Sequence, residues 1–227
     1  NLVSGDTNGS YDIFMHDTQT GATTRVSLDS NGGQPTSTSV NPSISADGRY
    51  VTFSSSATNL VSGDTNAKID VFVHDRQTGT TRRISITSAG TQANDTSEHP
   101  SISADGSLIA FISRSTNLVS GDTNLMQDVF VHRQDTLPPT ATAAGNWSAL
   151  GSNLAGTDGA IIMSEPYSAY TEVDVIAVSG TDIYIGGCFQ NAGGDPTADF
   201  IAKWDGTNWS GIGNDGTASL NGALKNC

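Results

Sequence analysis

Cysteine is scarce in this chain: Cys188 and Cys227 are the only two in 227 residues. That excludes a disulfide-framework protein, and neither residue sits in a CxxC pair. Charge is also scarce, at 15% of residues, against about a quarter in an ordinary soluble domain. The basic side is the thinner one, with 10 Lys and Arg against 23 Asp and Glu and a net charge of −13. Phosphate binding needs clustered Lys and Arg, so nucleic acid is excluded as a partner. An acidic surface suits an extracellular setting or bound divalent cations, though it also serves plain solubility. Glutamate is limited to Glu98, Glu165 and Glu172. There is no Gly-x-Ser-x-Gly elbow, His-Glu-x-x-His or phosphate loop. A carboxylate pair for glycoside cleavage stays open. No apolar run nears ~18 residues, so no membrane span is expected. No signal peptide is visible. The chain begins at Asn1, without Met and inside a repeat, and is read as processed or partial.

Ser, Thr, Asn, Asp and Gly fill the space left by charged and apolar residues. These residues compete for backbone bonds outside helices, so many turns and little helix are expected. At this length the chain can bury a substantial core, as one large all-β domain or two small ones.

The octapeptide Asn-Leu-Val-Ser-Gly-Asp-Thr-Asn starts at Asn1, Asn59 and Asn117, a step of 58 residues. Chance does not produce this, so the chain is a repeat array. Asp12, Asp70 and Asp128 keep the same step, as do Phe14, Phe72 and Phe130, and His16, His74 and His132. Each unit reads as four short strands. The first is Pro100 to Ser103, followed by an Ala104-Asp105-Gly106 turn with Gly supplying positive φ. The second is Leu108 to Ile112. The octapeptide loop follows, so these loops line one face. The third strand is Val71 to His74, and a Gln77-Thr78-Gly79 turn leads to the fourth, Thr81 to Ile86. The second and third strands are apolar on both faces, as stacked propeller blades require. A β-sandwich, the alternative, should alternate more cleanly.

After His132 a second repeat type takes over. Asn146-Trp147-Ser148 returns as Asn208-Trp209-Ser210, a step of 62. The expected fold is therefore an all-β, β-propeller-like array of four-stranded antiparallel blades. About three and a half blades are expected, with period-58 repeats over 1–137 and a continuous second part over 138–227. Residues 1 to 28 supply the last two strands of a first blade. Further blades occupy about 41–86, 99–151 and 173–213, and Leu220 to Cys227 would open another. Propellers close with about 4–8 blades. Either the C-terminal segment completes the first blade, or the chain belongs to a longer array, which the repeat cut at each end favours.

The motif from Pro42 to Phe53, with Asp70-Val71-Phe72-Val73-His74-Asp75 and Gln77-Thr78-Gly79, resembles the TolB-like propeller repeat. The resemblance covers residues 1–133. Asp182 to Gly187, Ile201 to Gly206 and Asn208-Trp209-Ser210 look like Kelch-like bacterial surface repeats. Together they imply a secreted or envelope protein that binds macromolecules, usually without chemistry of its own.

The sharpest chemical pattern is Asp-x-Asn-x-x-x-Asp. It occurs as Asp6, Asn8 and Asp12, as Asp64, Asn66 and Asp70, and as Asp122, Asn124 and Asp128. Oxygen ligands so spaced in a tight loop suit Ca²⁺, with affinity near ~10⁻⁴–10⁻³ M for want of a downstream bidentate Glu. The same residues can instead cap the loop backbone in Asx-turns. His16, His74 and His132 fall on different blades and are expected to be packed and hydrogen-bonded. Cys188 and Cys227 fall at the same end of one blade. A disulfide there would contribute ~3–4 kcal/mol in the loop-entropy model; two buried thiols are the alternative. Trp147, Trp204 and Trp209 suggest either a glycan platform or inter-blade packing. Asn8, Asn94, Asn146 and Asn208 begin glycosylation sequons.

The expected function is a secreted or cell-surface propeller scaffold, calcium-stabilised and not an enzyme. Its partners would be proteins, copies of itself or glycans, in adhesion or filament assembly. The alternative is the propeller portion of an exported hydrolase or glycan-active enzyme whose catalytic residues lie elsewhere.

Overall fold

The computed structural model describes residues 2–122, 126–134, 147–149, 172–189 and 201–212. It is all-β, with no helix among these residues. Strands β1 (Phe14–His16) and β2 (Thr23–Arg25) form a two-stranded sheet. Three four-stranded antiparallel sheets follow. The first contains β3 (Ser39–Ile44), β4 (Tyr50–Ser55), β5 (Asp70–Asp75) and β6 (Thr80–Arg83). The second contains β7 (Ser97–Ile102), β8 (Leu108–Ser113), β9 (Asp128–Arg133) and β10 (Trp147–Ala149). The third contains β11 (Glu172–Ser179), β12 (Asp182–Cys188), β13 (Ile201–Trp204) and β14 (Trp209–Gly211). In each the strands lie side by side in chain order. These are the blades of a β-propeller.

The middle strands of the first two full blades are apolar on both faces because each of those blades is covered on both sides. Ile13 and Val26 of the two-stranded sheet pack with Val51, Phe53, Leu60 and Phe72 of the first full blade. The opposite face of that blade, with Val71, Val73 and Ile84, meets Ile102, Ile109, Phe111 and Phe130. Leu108, Ala110 and Val129 then meet Val173, Ile183, Ile185 and Trp209. Phe53 stacks on Phe72 at 5.9 Å between centroids, and Phe111 repeats this on Phe130 at 5.9 Å. Each fully buried Phe or Ile contributes about 1.5–3 kcal/mol. Serines pin the innermost strands across the blades. Ile102 N–H donates to Ser43 Oγ at 3.2 Å, and Val178 N–H to Ser101 Oγ at 3.2 Å.

Two strand limits differ from the sequence reading. The first strand begins at Ser97, before Pro100, because a bulge between Glu98 and Ser101 absorbs the proline. Proline has no N–H to give a ladder, and a bulge tolerates that. His99 carries the bulge at φ 52°, and Asn41 repeats it at φ 53° before Pro42. The fourth strand ends at Arg83, although Ile84 N–H still donates to Val71 O at 2.7 Å. The second blade is a hybrid. Its outer strand β10 comes from the second repeat type, so the change of repeat at 137/138 falls inside one sheet.

Turn residues also join neighbouring blades. Gly106 has φ +75°, and a Cβ there would lie 2.6 Å from Cδ2 of the Tyr50 ring. Gly106→Ala should therefore cost about 2–4 kcal/mol, from left-handed backbone strain plus overpacking. A thermal or urea melt reads it, and an unchanged midpoint would contradict the contact.

Candidate functional site

The octapeptide loops of the full blades connect second to third strands; the second copy is described in full and the first from Leu2 onward. In the first full blade, Asn66 Oδ1 accepts from Lys68 N–H at 3.0 Å, closing an Asx-turn. Asn66 Nδ2 donates to Asp70 Oδ2 at 3.1 Å and to Ala93 O at 3.0 Å. Ala93 belongs to the linker that leads to the next blade. Asp70 Oδ1 accepts from Ser85 Oγ at 2.5 Å, and Ser85 Oγ accepts from Val71 N–H at 3.1 Å.

The cation between these carboxylates is Arg83, from the fourth strand. Its Nη1 lies 3.2 Å from Asp64 Oδ1 and 3.4 Å from Asp70 Oδ2. The same nitrogen donates to Gln92 Oε1 at 2.9 Å. Gln92 Nε2 donates to Thr65 Oγ1 at 2.7 Å, which ties the linker to the octapeptide. Burial pushes Asp70 above the ordinary carboxylate value, and the Ser85 hydroxyl and Arg83 pull against it. Burial likewise raises Asp64, opposed by Arg83.

The first copy repeats the arrangement. Arg25 Nη1 reaches Asp6 Oδ1 at 3.4 Å, Asp12 Oδ2 at 3.2 Å and Gln34 Oε1 at 2.9 Å. Asn8 Nδ2 donates to Asp12 Oδ2 and to Pro35 O, at 3.1 and 3.0 Å. Ser27 Oγ donates to Asp12 Oδ1 at 2.8 Å. The octapeptide's leading Asn works in the other direction. Asn59 Nδ2 donates to Gln34 O and Asn117 Nδ2 to Gln92 O, at 2.9 and 3.0 Å. The second loop is thus stitched to the linker before its blade, through Asn59, and to the linker after it, through Asn66.

The sequence reading assigned the loop residues to calcium or to Asx-turns. The structure brings Asp6, Asn8 and Asp12 together, and Asp64, Asn66 and Asp70 together, around an arginine in both cases. Among the described residues no group of three or more His, Cys, Asp or Glu side chains is placed to hold a metal ion. Asp122 and Asp128 are buried, while Asn124 lies outside the described residues. Arg25, Arg83, Gln34, Gln92, Ser27 and Ser85 were not singled out from sequence. The signal was present, since each pair keeps the 58-residue step.

The other candidates separate clearly. His74 is buried, with Nδ1 2.8 Å from Thr81 Oγ1, and the Thr81 hydroxyl donates to Leu28 O. A hydroxyl has one proton to give, so His74 Nδ1 is the donor in that pair. His16 Nδ1 pairs with Thr23 Oγ1 at 2.9 Å, and His132 is buried. Trp209 is buried against the second blade, 5.7 Å from the half-buried Trp204. The side chains of Cys188 and Trp147 and the whole of Cys227, Asn146 and Glu165 lie outside the described residues. Of the sequon asparagines, Asn8 is engaged as above and Asn94 Nδ2 donates to Thr116 Oγ1 at 3.0 Å; Asn208 is exposed in a turn.

No protein-family profile and no curated protein matches the chain. Solved structures do. A protein assigned as TolB from Agrobacterium tumefaciens is 20% identical at TM-score 0.37, over 60% of this chain and 39% of that one. The tricorn protease is 14% identical at TM-score 0.45, over 88% of this chain and 20% of that one. The β-propeller domain of the Trilobed protease from Pyrococcus furiosus is 13% identical at TM-score 0.39, over 88% and 63%. The chain therefore spans less than two thirds of each. The blade topology itself defines the class, an all-β propeller of four-stranded blades.

Removing Arg83 leaves Asp64 and Asp70 buried without their cation. Arg83→Ala should cost about 3–5 kcal/mol, and adding Asp64→Asn and Asp70→Asn should recover part of it. Urea melts of the single and triple variants check this; equal losses would contradict the cage. Burial lowers the His74 pKa below 6.5. The unfolded chain then binds the proton more readily, so stability is full above pH 6.5 and falls as pH drops through the folded value. His74→Gln should flatten that slope in melts between pH 7 and 5.

Proposed function

We propose that this chain is a propeller scaffold that acts by binding other proteins in an exported or envelope setting, and is not itself an enzyme. The observation that supports this is the use made of its repeated polar residues. Asp, Asn, Arg and Gln of the 58-residue repeat are spent on joining blade to blade, in the two copies where the whole set is described. Such a repeat builds a rigid surface whose neighbours set its shape. The resemblance to TolB-like repeats, and of the second part to Kelch-like surface repeats, accords with the same reading. Purified protein should show no turnover on peptide or glycan panels. It should retain a discrete secreted or envelope protein saturably. Turnover would favour the other reading, the propeller portion of an exported hydrolase.

Calcium belongs to this proposal as an ion for the Asp-x-Asn loops, where Asp6 and Asp12, and Asp64 and Asp70, gather their carboxylates. A melting midpoint that rises in millimolar calcium and returns with chelator supports the ion. An unchanged midpoint removes it.

A further inference from the structure

We propose that the junction between the first and second full blades binds one buried water molecule through Thr52, Ser54 and His99. The proposal concerns how two blades are joined and stands whether or not the protein-binding reading does. Ser54 Oγ and His99 Nδ1 are buried and have no hydrogen-bond partner among the described residues. Buried polar atoms are nearly always partnered, and ordered water is the usual partner where the protein supplies none. The two atoms face one junction. Ser54 stands opposite Val71 and Thr52 opposite Val73, on the face of the first full blade that meets Ile109 and Phe111. In the second blade Glu98 is paired with Ile112 and Ser101 with Ala110, so His99 and Pro100 both oppose Phe111. Two residues that oppose one across a bulge share its face, here the face toward the first full blade. The two atoms are also level. Ile102 N–H donates to Ser43 Oγ and so fixes β7 against β3. His99 precedes Ile102 by as many residues as Val40 precedes Ser43, and Val40 is paired with Ser54.

The neighbouring junction has the same places without the polar atoms. One repeat step on, Ala110 and Ile112 replace Thr52 and Ser54, and both belong to the apolar cluster shared with the third blade. Ser101 holds Val178 as Ser43 holds Ile102, which aligns Val175 with His99. Threonine, serine and histidine are thus exchanged as a set for alanine, isoleucine and valine. Groups that serve one shared ligand are expected to change together. Thr52 and Ser54 are fully buried, so the ligand is small and enclosed. A water makes three bonds there. It accepts the Ser54 hydroxyl proton and donates to His99 Nδ1 and to Thr52 Oγ1, whose own proton goes to Ser43 O at 3.4 Å. About three bonds is the usual complement of a buried water.

The test uses the whole chain. A crystal structure at a resolution that shows ordered water should hold a peak within hydrogen-bond distance of both Ser54 Oγ and His99 Nδ1. Ser54→Ala should lower the melting midpoint by about 2–4 °C, the shift for one lost hydrogen bond in a chain of this size. Were the hydroxyl unmet, its removal would raise the midpoint instead. When Ser54→Ala and His99→Ala are combined, the loss should fall short of the sum of the two, because either one already releases the water. The proposal is overturned by the lack of a peak, by a direct bond between Ser54 and His99, by a midpoint that Ser54→Ala raises, or by fully additive losses. None of these results bears on retention of a protein partner, so the two readings fail separately.

Discussion

The stacking of blades depends on a guanidinium placed where loop, outer strand and linker converge. Arg83 touches Asp64 of the loop, Asp70 of the third strand and Gln92 of the linker with one nitrogen. Arginine suits the place because its charge is fixed and its donors are spread in a planar fork. Two carboxylates buried this deeply could not both stay ionised without a cation. A metal ion would meet the same need, but it must be captured from solution. The arginine is delivered by the fold itself, one residue beyond Arg82 on a strand already paired to β5. Arg25 shows that the solution is part of the repeat.

The fold was legible because the step of 58 aligned every blade at once. The octapeptide, the Ser-Ile-Ser-Ala-Asp-Gly turn and the apolar strand pairs each placed a strand. Strand limits were less legible where proline intervened. Pro42 and Pro100 read as strand starts, but left-handed Asn41 and His99 carry the chain through a bulge instead. The site was half legible. Asp64, Asn66 and Asp70 were found as a group because they are close in sequence. Their cation lies 13 residues beyond Asp70 by hydrogen-bond separation, across a hairpin, and pattern reading by local spacing passes over it. The same blindness hid Gln92. Motifs that match a metal loop by spacing show which oxygens gather and leave open which positive charge gathers them.

The hybrid blade shows how the array changes repeat without breaking. β10 pairs with β9 at the register of β6 on β5, so Trp147 stands opposite His132 where Thr81 stands opposite His74. The linker bond changes as well. Ser39 and Ser97 N–H donate to the main chain of Tyr11 and Ile69, but Val173 N–H donates to the Gln127 side chain, at 3.1 Å. A side-chain amide can stand in for a peptide carbonyl when the backbone path shifts. The serine pin survives the change, since Ser101 holds Val178 as Ser43 holds Ile102. Junctions of unlike repeats thus keep the inner contacts and vary the outer ones.

That division has an energetic reason. Inner strands are the closest across blades, so a short serine hydroxyl is enough to reach the next main-chain N–H, Ser43 to Ile102 and Ser101 to Val178. Outer strands splay, and the space between them must be filled by long side chains: Arg83 in one junction, Trp209 in another. Polar filling needs each buried charge matched by an opposite one, which explains why the arginine and its two aspartates recur together, with Gln, Asn and Ser around them. Apolar filling needs only volume, which frees the second repeat type from the octapeptide. The two repeat types are therefore two ways of closing the same wedge, one by a charge cage and one by an aromatic pair, and the chain passes from one to the other at the blade where the arginine is replaced by alanine.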